Sequence, residues 1–190
     1  MADVYPDWDG LIIKYVTDTW ANTRSAGAGS TPNTASTVHM YNFHTTGRGG
    51  NTYQIGRFFI EFDTSGITGT LSEATLKLYG HSEGTLDVIL LKGTQAGSLV
   101  AGDYDEISGA ATPLGNSGGS GAGTFAGTSV VEYSSALTTW STSGYNDISL
   151  NATALSDIVA NDTFHCVLVS YDYDYLDQAV SGASYRVGIY

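Results

Sequence analysis

The sequence predicts an all-β protein, an antiparallel β-sandwich of the jelly-roll type with one short helix near residues 152–159. Three observations favour this fold class. Many short runs alternate apolar and polar side chains, which is the period of a strand with one buried face. Turn-forming residues separate these runs, and 24 of the 190 residues are glycine. Many short strands joined by long loops are typical of a jelly roll, with a closed barrel as the alternative.

The predicted strands follow one another along the whole chain. They cover residues 10–16, 37–43, 56–63, 74–79, 85–93, 129–135, 145–151, a run that begins at 162 and leads into a Tyr/Asp loop ending at 177, and 184–190. The run at 85–93 is apolar on both faces, which indicates a central strand. The helical period appears once, where Asn151 is placed to cap a helix that carries Leu155, Ile158 and Val159 on one face.

Two runs show the alternation most clearly, and each predicts one buried and one solvated face. The first run places its side chains on two faces, Phe58, Ile60 and Phe62 on one and Arg57, Phe59, Glu61 and Asp63 on the other. The second run does the same, with Ala74, Leu76 and Leu78 on one face and Thr75, Lys77 and Tyr79 on the other.

We expect one domain over residues 1–190, because this length suits a single continuous core. The Gly/Ser-rich stretch 109–129 has the composition of a flexible loop or a linker. Too few strands follow it to build a second domain. The stretch is therefore predicted to be a loop within one domain.

Charge excludes several classes of partner. The net charge is −12, from 19 acidic and 7 basic side chains. Such a field repels nucleic acid and anionic membranes, and no Lys/Arg cluster reverses it locally. The sequence predicts neither nucleic-acid binding nor membrane insertion, since no segment has the ~20 apolar residues of a membrane helix.

Cysteine usage and the N-terminus predict where the chain is made. Cys166 is the only cysteine and lies in an apolar run, so we expect a buried, inert thiol and no disulfide. The first residues lack the basic and apolar regions of a secretory signal. We expect synthesis and folding in a reducing cytoplasm.

The stretch YDYDYLD offers the main candidate contact residues. Tyr171, Tyr173 and Tyr175 alternate with acids and would form an aromatic face suited to a glycan or a protein. Asp172, Asp174 and Asp177 are weak candidates for Ca²⁺ ligands, although their spacing is not that of an EF-hand. The alternative is a purely structural role, in which the segment is a strand end with its tyrosines packed inward and its aspartates in water. We expect no other cofactor.

Enzyme-like signals are weak. Glu61 and Asp63 share one strand face, and three acids cluster at 103–106, but an acidic protein produces such pairs by chance. Asp63 is better explained as an Asx turn that closes its strand. The four histidines lack the spacing of a zinc protease, and His39 and His44 should face opposite sides of a strand. We therefore predict no catalytic residue.

Four segments in order, GRFFIEFDTSGI, SEATLKLYG, YNDISLNATALSDI and TFHCVLVSYD, resemble the DNRLRE or disaggregatase-related family of β-sandwich modules. Together they cover most of residues 45–175. The family occurs in microbial surface proteins and in uncharacterised tailed-phage proteins. The resemblance implies a sandwich with an adhesive or structural role, and some relatives are described as carbohydrate-binding. It transfers no catalytic residue.

The sequence departs from the family at its end. In many relatives a strand of Pro-x-Leu-x-Val-x-Tyr type follows the segment that resembles YRVGIY, and nothing follows Tyr190 here. Either the sequence is incomplete, or that strand is dispensable, or a neighbouring subunit replaces it. A missing strand would leave an unpaired sheet edge.

Two functions remain for such a chain. The first is a non-enzymatic structural protein of a phage virion, such as a head decoration, fibre or tail-associated subunit. Its partners would be other virion proteins and further copies of itself, with surface glycans as additional ligands. The alternative is a carbohydrate-binding or adhesive module of a microbial surface protein, which would work outside the cell.

Overall fold

The computed structural model describes residues 3–110, 124–182 and 184–190. It confirms an antiparallel all-β sandwich. The eight strands of the described part are β1 (Trp8–Thr17), β2 (Val38–Gly47), β3 (Gly50–Asp63), β4 (Thr75–Gly84), β5 (Val88–Lys92), β6 (Tyr145–Ser149), β7 (Thr163–Ser170) and β8 (Ser184–Ile189). The helical elements there are α1 (Trp20–Arg24), a 3-10 helix (Ala101–Asp105), α2 (Ala152–Ala160) and a π-helical turn (Tyr171–Tyr175).

The strands form two sheets that are joined through the long strand β3. The open sheet has the order β2-β8-β4-β6, and the covered sheet has the order β1-β3-β7-β5. On one edge of β3, β2 pairs with residues 50–55 and β7 pairs with residues 58–63, so the two sheets diverge near Gly56. Isolated bridges add residues 132–137 to the outer edge of β5. Without β1, the interleaved orders 2-8-4-6 and 3-7-5-(132–137) are those of a jelly roll, as predicted.

The sandwich core lies between the two sheets. Both sheets and α2 contribute apolar side chains that are buried there, among them Met40, Phe58, Ile60, Leu78, Leu90, Ile158, Leu168 and Val187. Cys166 lies in this core, and burial raises the pKa of its thiol, in agreement with the predicted inert cysteine. Removal of this apolar area from water is the main force that holds the sheets together.

A second core lies on the outer face of the covered sheet. Four segments, which we call the loop layer, fold over that face, and they are residues 20–24, 101–110, 124–130 and 171–180. Ile12, Phe59, Leu91 and Val169 point from the strands into this layer. Tyr104 is among the loop-layer side chains that meet them. The covered sheet is therefore buried on both faces, whereas the open sheet has only its inner face buried.

The prediction that β3 has a solvated face was wrong for Arg57 and Phe59, because the loop layer covers that part of the strand. Arg57 is 0 % and Phe59 is 0 % exposed, although they alternate with the sandwich-core residues Phe58 and Ile60. The face prediction for β4 is confirmed, because Leu76 and the apolar positions near it are buried while the alternate positions are exposed. Strand periodicity locates a buried face only when nothing else folds onto the opposite face.

Other predicted elements are confirmed or shifted. Helix α2 begins after Asn151, whose side-chain oxygen accepts a hydrogen bond from the backbone N–H of Ala154 at 3.0 Å. The run 129–135 forms bridges and not a regular strand. β5 is buried on both faces as predicted, but it pairs with only one regular strand. Of the Gly/Ser-rich stretch 109–129, residues 111–123 lie outside the described residues.

The last described strand does not lie at a sheet edge. β8 is hydrogen-bonded to β2 on one side and to β4 on the other, with an irregularity in the β4 register between Gly80 and Gly84. Among the described residues, no helix has both the length and the apolar character needed to cross a membrane.

Candidate functional site: the outer face of the open sheet

The Tyr/Asp segment after β7 is a π-helical turn and not a strand end with alternating faces. Tyr171 and Tyr175 lie one turn apart and stack with their ring centroids 5.4 Å apart. Tyr173 packs against Tyr185, with 4.9 Å between centroids. Tyr175 is buried, and its hydroxyl donates to Glu132. The three candidate tyrosines therefore do not form one exposed aromatic face, and their contact role stays a prediction.

Asp174, one of the calcium candidates, is the centre of a buried ion-pair cluster. Arg57 donates from Nε and Nη2 to the two carboxylate oxygens of Asp174, at 2.6 and 2.9 Å. Arg24 donates from Nε to Oδ1 of the same carboxylate at 3.2 Å and to the Asp174 carbonyl at 2.8 Å. All three side chains are 0 % exposed. Because both oxygens bond to arginines, Asp174 has a structural role in this fold.

The other two aspartates of the segment have different surroundings from those of Asp174. Asp177 accepts a hydrogen bond from Trp20 Nε1 at 3.0 Å, and its Oδ1 lies 3.7 Å from Arg24 Nη1. Asp172 is half-buried. Across residues 3–110, 124–182 and 184–190, no group of three His, Cys, Asp or Glu side chains has an arrangement that suits a metal ion.

The two arginines connect β3 to the loop layer. Arg57 also donates to the carbonyls of Tyr104, at 2.7 Å, and Arg24, at 3.1 Å. Its guanidinium lies 4.2 Å from the Tyr104 ring centroid, and that of Arg24 lies 4.1 Å from the Phe125 ring centroid. Burial, the largest single influence, would lower the pKa of Arg57, but the charge of Asp174, its hydrogen bonds and smaller contributions from Tyr104 and Asp105 together raise that pKa. The cluster is thus a charged link between the covered sheet and the loop layer.

The carboxylates that suggested an enzyme have structural partners. Glu61 Oε2 lies 2.7 Å from His165 Nε2 on the neighbouring strand. Asp63 accepts from the backbone N–H and hydroxyl of Ser65 at 2.9 and 2.6 Å, which confirms the Asx turn. The hydroxyl bond, followed by the amide bond, lowers the pKa of Asp63. Asp103 accepts from the Val100 N–H at 2.7 Å at the start of the 3-10 helix.

The open sheet carries a continuous row of aromatic rings on its outer face. We call this row the aromatic strip, and its members in spatial order are Tyr145, Tyr79, Tyr190, His81, His39 and Tyr41. Successive ring centroids along the row are 5.2, 6.2, 6.3, 4.8 and 6.3 Å apart. The residues come from β6, β4 and β2 and from the position that follows β8. The strip therefore crosses the whole sheet.

The strip is locally neutral, and three of its six members, Tyr79, Tyr145 and Tyr190, are exposed, while the other three are half-buried. Tyr145 is 66 % and Tyr190 is 70 % exposed, which is unusual for aromatic side chains in a folded protein. Two ion pairs lie beside it on the same face, Lys77 with Asp147 at 3.7 Å and Arg186 with Glu83 at 3.1 Å. Each pair balances its own charge, although the whole chain carries −12. The face therefore suits an uncharged or mixed-charge ligand.

Two histidines meet at the centre of the strip. His39 on β2 and His81 on β4 are both bonded to the hydroxyl of Ser82, through Nε2 and Nδ1 respectively, each at 3.0 Å. Partial burial lowers the pKa of His39, and the nearby charges of His81 and Arg186 lower it further. Glu83 acts in the opposite direction. His39 is therefore mainly uncharged at neutral pH.

A polar cleft of about 340 Å³ lies at one end of the sandwich, beside the C-terminal end of α2. Lys92 Nζ and the Tyr133 hydroxyl both donate to Asp157 Oδ2, at 2.8 and 2.6 Å. Burial alone would raise the pKa of Asp157, but these two hydrogen bonds lower it overall. The polar groups of this cleft thus bond to one another, and we assign no ligand to it.

The sequence analysis missed the strip because its members are far apart in the chain. Strands β2 and β4 nevertheless carry a local signal, since His39 alternates with Tyr41, and Tyr79 with His81. Aromatic residues at the outward positions of two amphipathic strands indicate a contact face. The outward positions can be recognised only after the inward, apolar positions of the strand are identified. In β4 the alternation shows them more clearly than in β2.

Comparison with known proteins gives no family model that matches the chain and no matching curated protein.

Proposed function

We propose that this chain is a non-enzymatic structural protein of a phage virion and that the outer face of its open sheet is its contact surface. The observation that carries the proposal is the difference between the two sheets. The loop layer buries the outer face of the covered sheet, whereas the outer face of the open sheet carries the aromatic strip, in which three tyrosines are exposed. Exposed aromatic side chains in a contiguous patch mark a binding surface.

Two further features support the proposal. The jelly roll is a frequent fold of viral capsid and lectin domains, although this is support by analogy. The acids that the sequence placed in pairs are bonded within turns or across strands, as for Asp63 and Glu61. Such bonding favours a rigid scaffold over general acid–base chemistry, which needs convergent groups in a cleft. The proposed partners are other virion proteins and further copies of this chain.

Purified particles of a phage that encodes this chain provide the direct test. We expect mass spectrometry of intact, density-purified virions to detect the chain in many copies. We also expect the isolated protein to form a symmetric oligomer, measured by light scattering coupled to size exclusion. Absence of the chain from intact particles would contradict the virion role.

The aromatic strip itself favours the second candidate, a carbohydrate-binding or adhesive module of a surface protein. Aromatic faces stack on the apolar C–H faces of sugar rings, and the strip lacks net charge. We expect a glycan array to identify a ligand. Tyr79→Ala and Tyr145→Ala should each weaken its binding at least tenfold, or about 1.4 kcal/mol.

Tyr15 provides the matched control for this experiment. It is 61 % exposed, similar to Tyr145, but it lies on β1 of the covered sheet. Tyr15→Ala should leave glycan binding unchanged. Equal losses in all three variants, or an array without any ligand, would contradict glycan binding through the strip. A monomer that binds glycans and is absent from virions would favour this second candidate over the first.

A further inference from the structure

We infer that His39 and His81 form a binding site for one borderline divalent metal ion, such as Zn²⁺, Ni²⁺ or Cu²⁺, at the centre of the aromatic strip. This inference goes beyond the proposed function, which requires no metal. It rests on the donor geometry of the two imidazoles, on the strand arrangement that brings them together, and on the type of donor atom.

One nitrogen of each imidazole converges on the same atom, the hydroxyl oxygen of Ser82. His39 Nε2 and His81 Nδ1 each lie 3.0 Å from Ser82 Oγ, and the two ring centroids are 4.8 Å apart. Ligand atoms that are each ~2.0–2.1 Å from one metal ion lie roughly 3 Å apart. The distance from each nitrogen to Ser82 Oγ is therefore that of neighbouring ligands on one ion, so the hydroxyl is placed to become a third, weaker ligand beside the two imidazoles.

The central strand β8 allows the two imidazoles to meet. His39 on β2 is paired with Gly188, and His81 lies on β4 at the other side of the same strand. A Cβ atom on Gly188 would lie 2.0 Å from the His81 carbonyl oxygen and 3.1 Å from its Cε1. Glycine at this position therefore lets the β4 backbone at His81 lie close to β8, which brings the two rings together.

The surroundings of His81 determine which of its nitrogens can reach a metal ion. Metal ions bind the unprotonated nitrogen of a neutral imidazole. The Nε2 atom of His81 is buried and has no hydrogen-bond partner, so Nδ1 is the nitrogen that bonds within the site.

The donor set selects the class of metal. Imidazole nitrogen suits Zn²⁺, Cu²⁺ and Ni²⁺, whereas Ca²⁺ and Mg²⁺ require oxygen ligands. Two histidines and one hydroxyl leave further coordination positions for water. We therefore expect moderate affinity. Cu²⁺ should bind most tightly, Ni²⁺ and Zn²⁺ less tightly, and Ca²⁺ least, because the main donors are nitrogen atoms.

The experiment is a Zn²⁺ titration of the full chain, followed by imidazole NMR and by calorimetry. We expect saturation at one equivalent, with the ring resonances of His39 and His81 shifting together. His39→Gln and His81→Gln should each weaken Zn²⁺ binding at least tenfold. Ca²⁺ at the same concentrations should shift neither ring.

His44→Gln is the matched control. His44 also lies on β2 but faces away from the pair, stacked on Tyr53 with 4.6 Å between centroids, and it should leave Zn²⁺ affinity unchanged. The absence of saturable binding to the wild-type chain at millimolar Zn²⁺ would overturn the inference. Saturation that shifts His44 or His165 in place of the pair would also overturn it. Both results come from wild-type protein, so they do not depend on the folding of any variant.

Discussion

Asp174→Asn should lower the free energy of unfolding by about 3–5 kcal/mol, because the buried guanidinium of Arg57 would lose its carboxylate partner. The substitution preserves the size of the side chain but removes the negative charge that Arg57 and Arg24 share. Both guanidinium groups would then remain in a site that is 0 % exposed. Urea denaturation followed by far-UV circular dichroism measures this change.

The same turn supplies the control for Asp174→Asn. Asp172 is only half-buried and lies outside the arginine cluster, so Asp172→Asn should change the free energy of unfolding by less than about 0.5 kcal/mol. A double variant, Arg57→Met with Asp174→Asn, should lose less stability than the two single losses added together, because the second change removes an already unpaired charge. Equal losses for the two asparagine variants would show that the cluster contributes little.

The ion-pair cluster explains why the Tyr/Asp segment does not continue as a strand. Its sequence alternates with period two, but the Ser170 hydroxyl accepts from the Asp174 N–H at 3.0 Å, and Arg57 holds the carboxylate inside. These contacts join residues 4 and 117 positions apart. The longer contact is invisible to a local pattern, so the tertiary environment overrides the apparent period.

Burial was predicted correctly where the residues of an element carry the signal themselves, as in β5, whose residues 88–91 are all apolar and buried. β4 and α2 each have a single buried side, so the apolar positions alone identify it, as for Leu76 and Ile158. The Asx turn at Asp63 and the cap at Asn151 were also predictable, because each depends on a bond to a residue two or three positions away. The prediction for β3 was wrong because segments from distant parts of the chain cover its second face.

The two outer faces of the sandwich have different consequences for function. Covering one face with loops gives a rigid support, and leaving the other face open exposes the tyrosines of the aromatic strip. The candidate site could be predicted only in part, since the strip requires the order β2-β8-β4-β6 to bring its members together. The outward alternation of Tyr79 and His81 was the accessible part of that signal.

Phe59→Ala tests whether the loop layer and the sandwich fold as one unit. Phe59 is 0 % exposed and points from β3 into the second core, so its truncation should cost about 3–5 kcal/mol. β3 also carries Phe58 and Ile60 into the sandwich core, and the two cores therefore share one backbone. A cavity in the second core should then lower the midpoint of a single cooperative unfolding transition of the whole chain.

Hydrogen exchange with Phe59→Ala distinguishes cooperative unfolding from local opening of the loop layer. We expect amide protection to fall by a similar factor in residues 101–105 and in β8, because global unfolding governs both when the cores are coupled. Tyr15→Ala, which removes an exposed ring from β1, should leave both regions protected. If Phe59→Ala deprotected residues 101–105 and left β8 unchanged, the loop layer would be an independent cover, and the rigid support inferred for the contact face would come from the sandwich core alone.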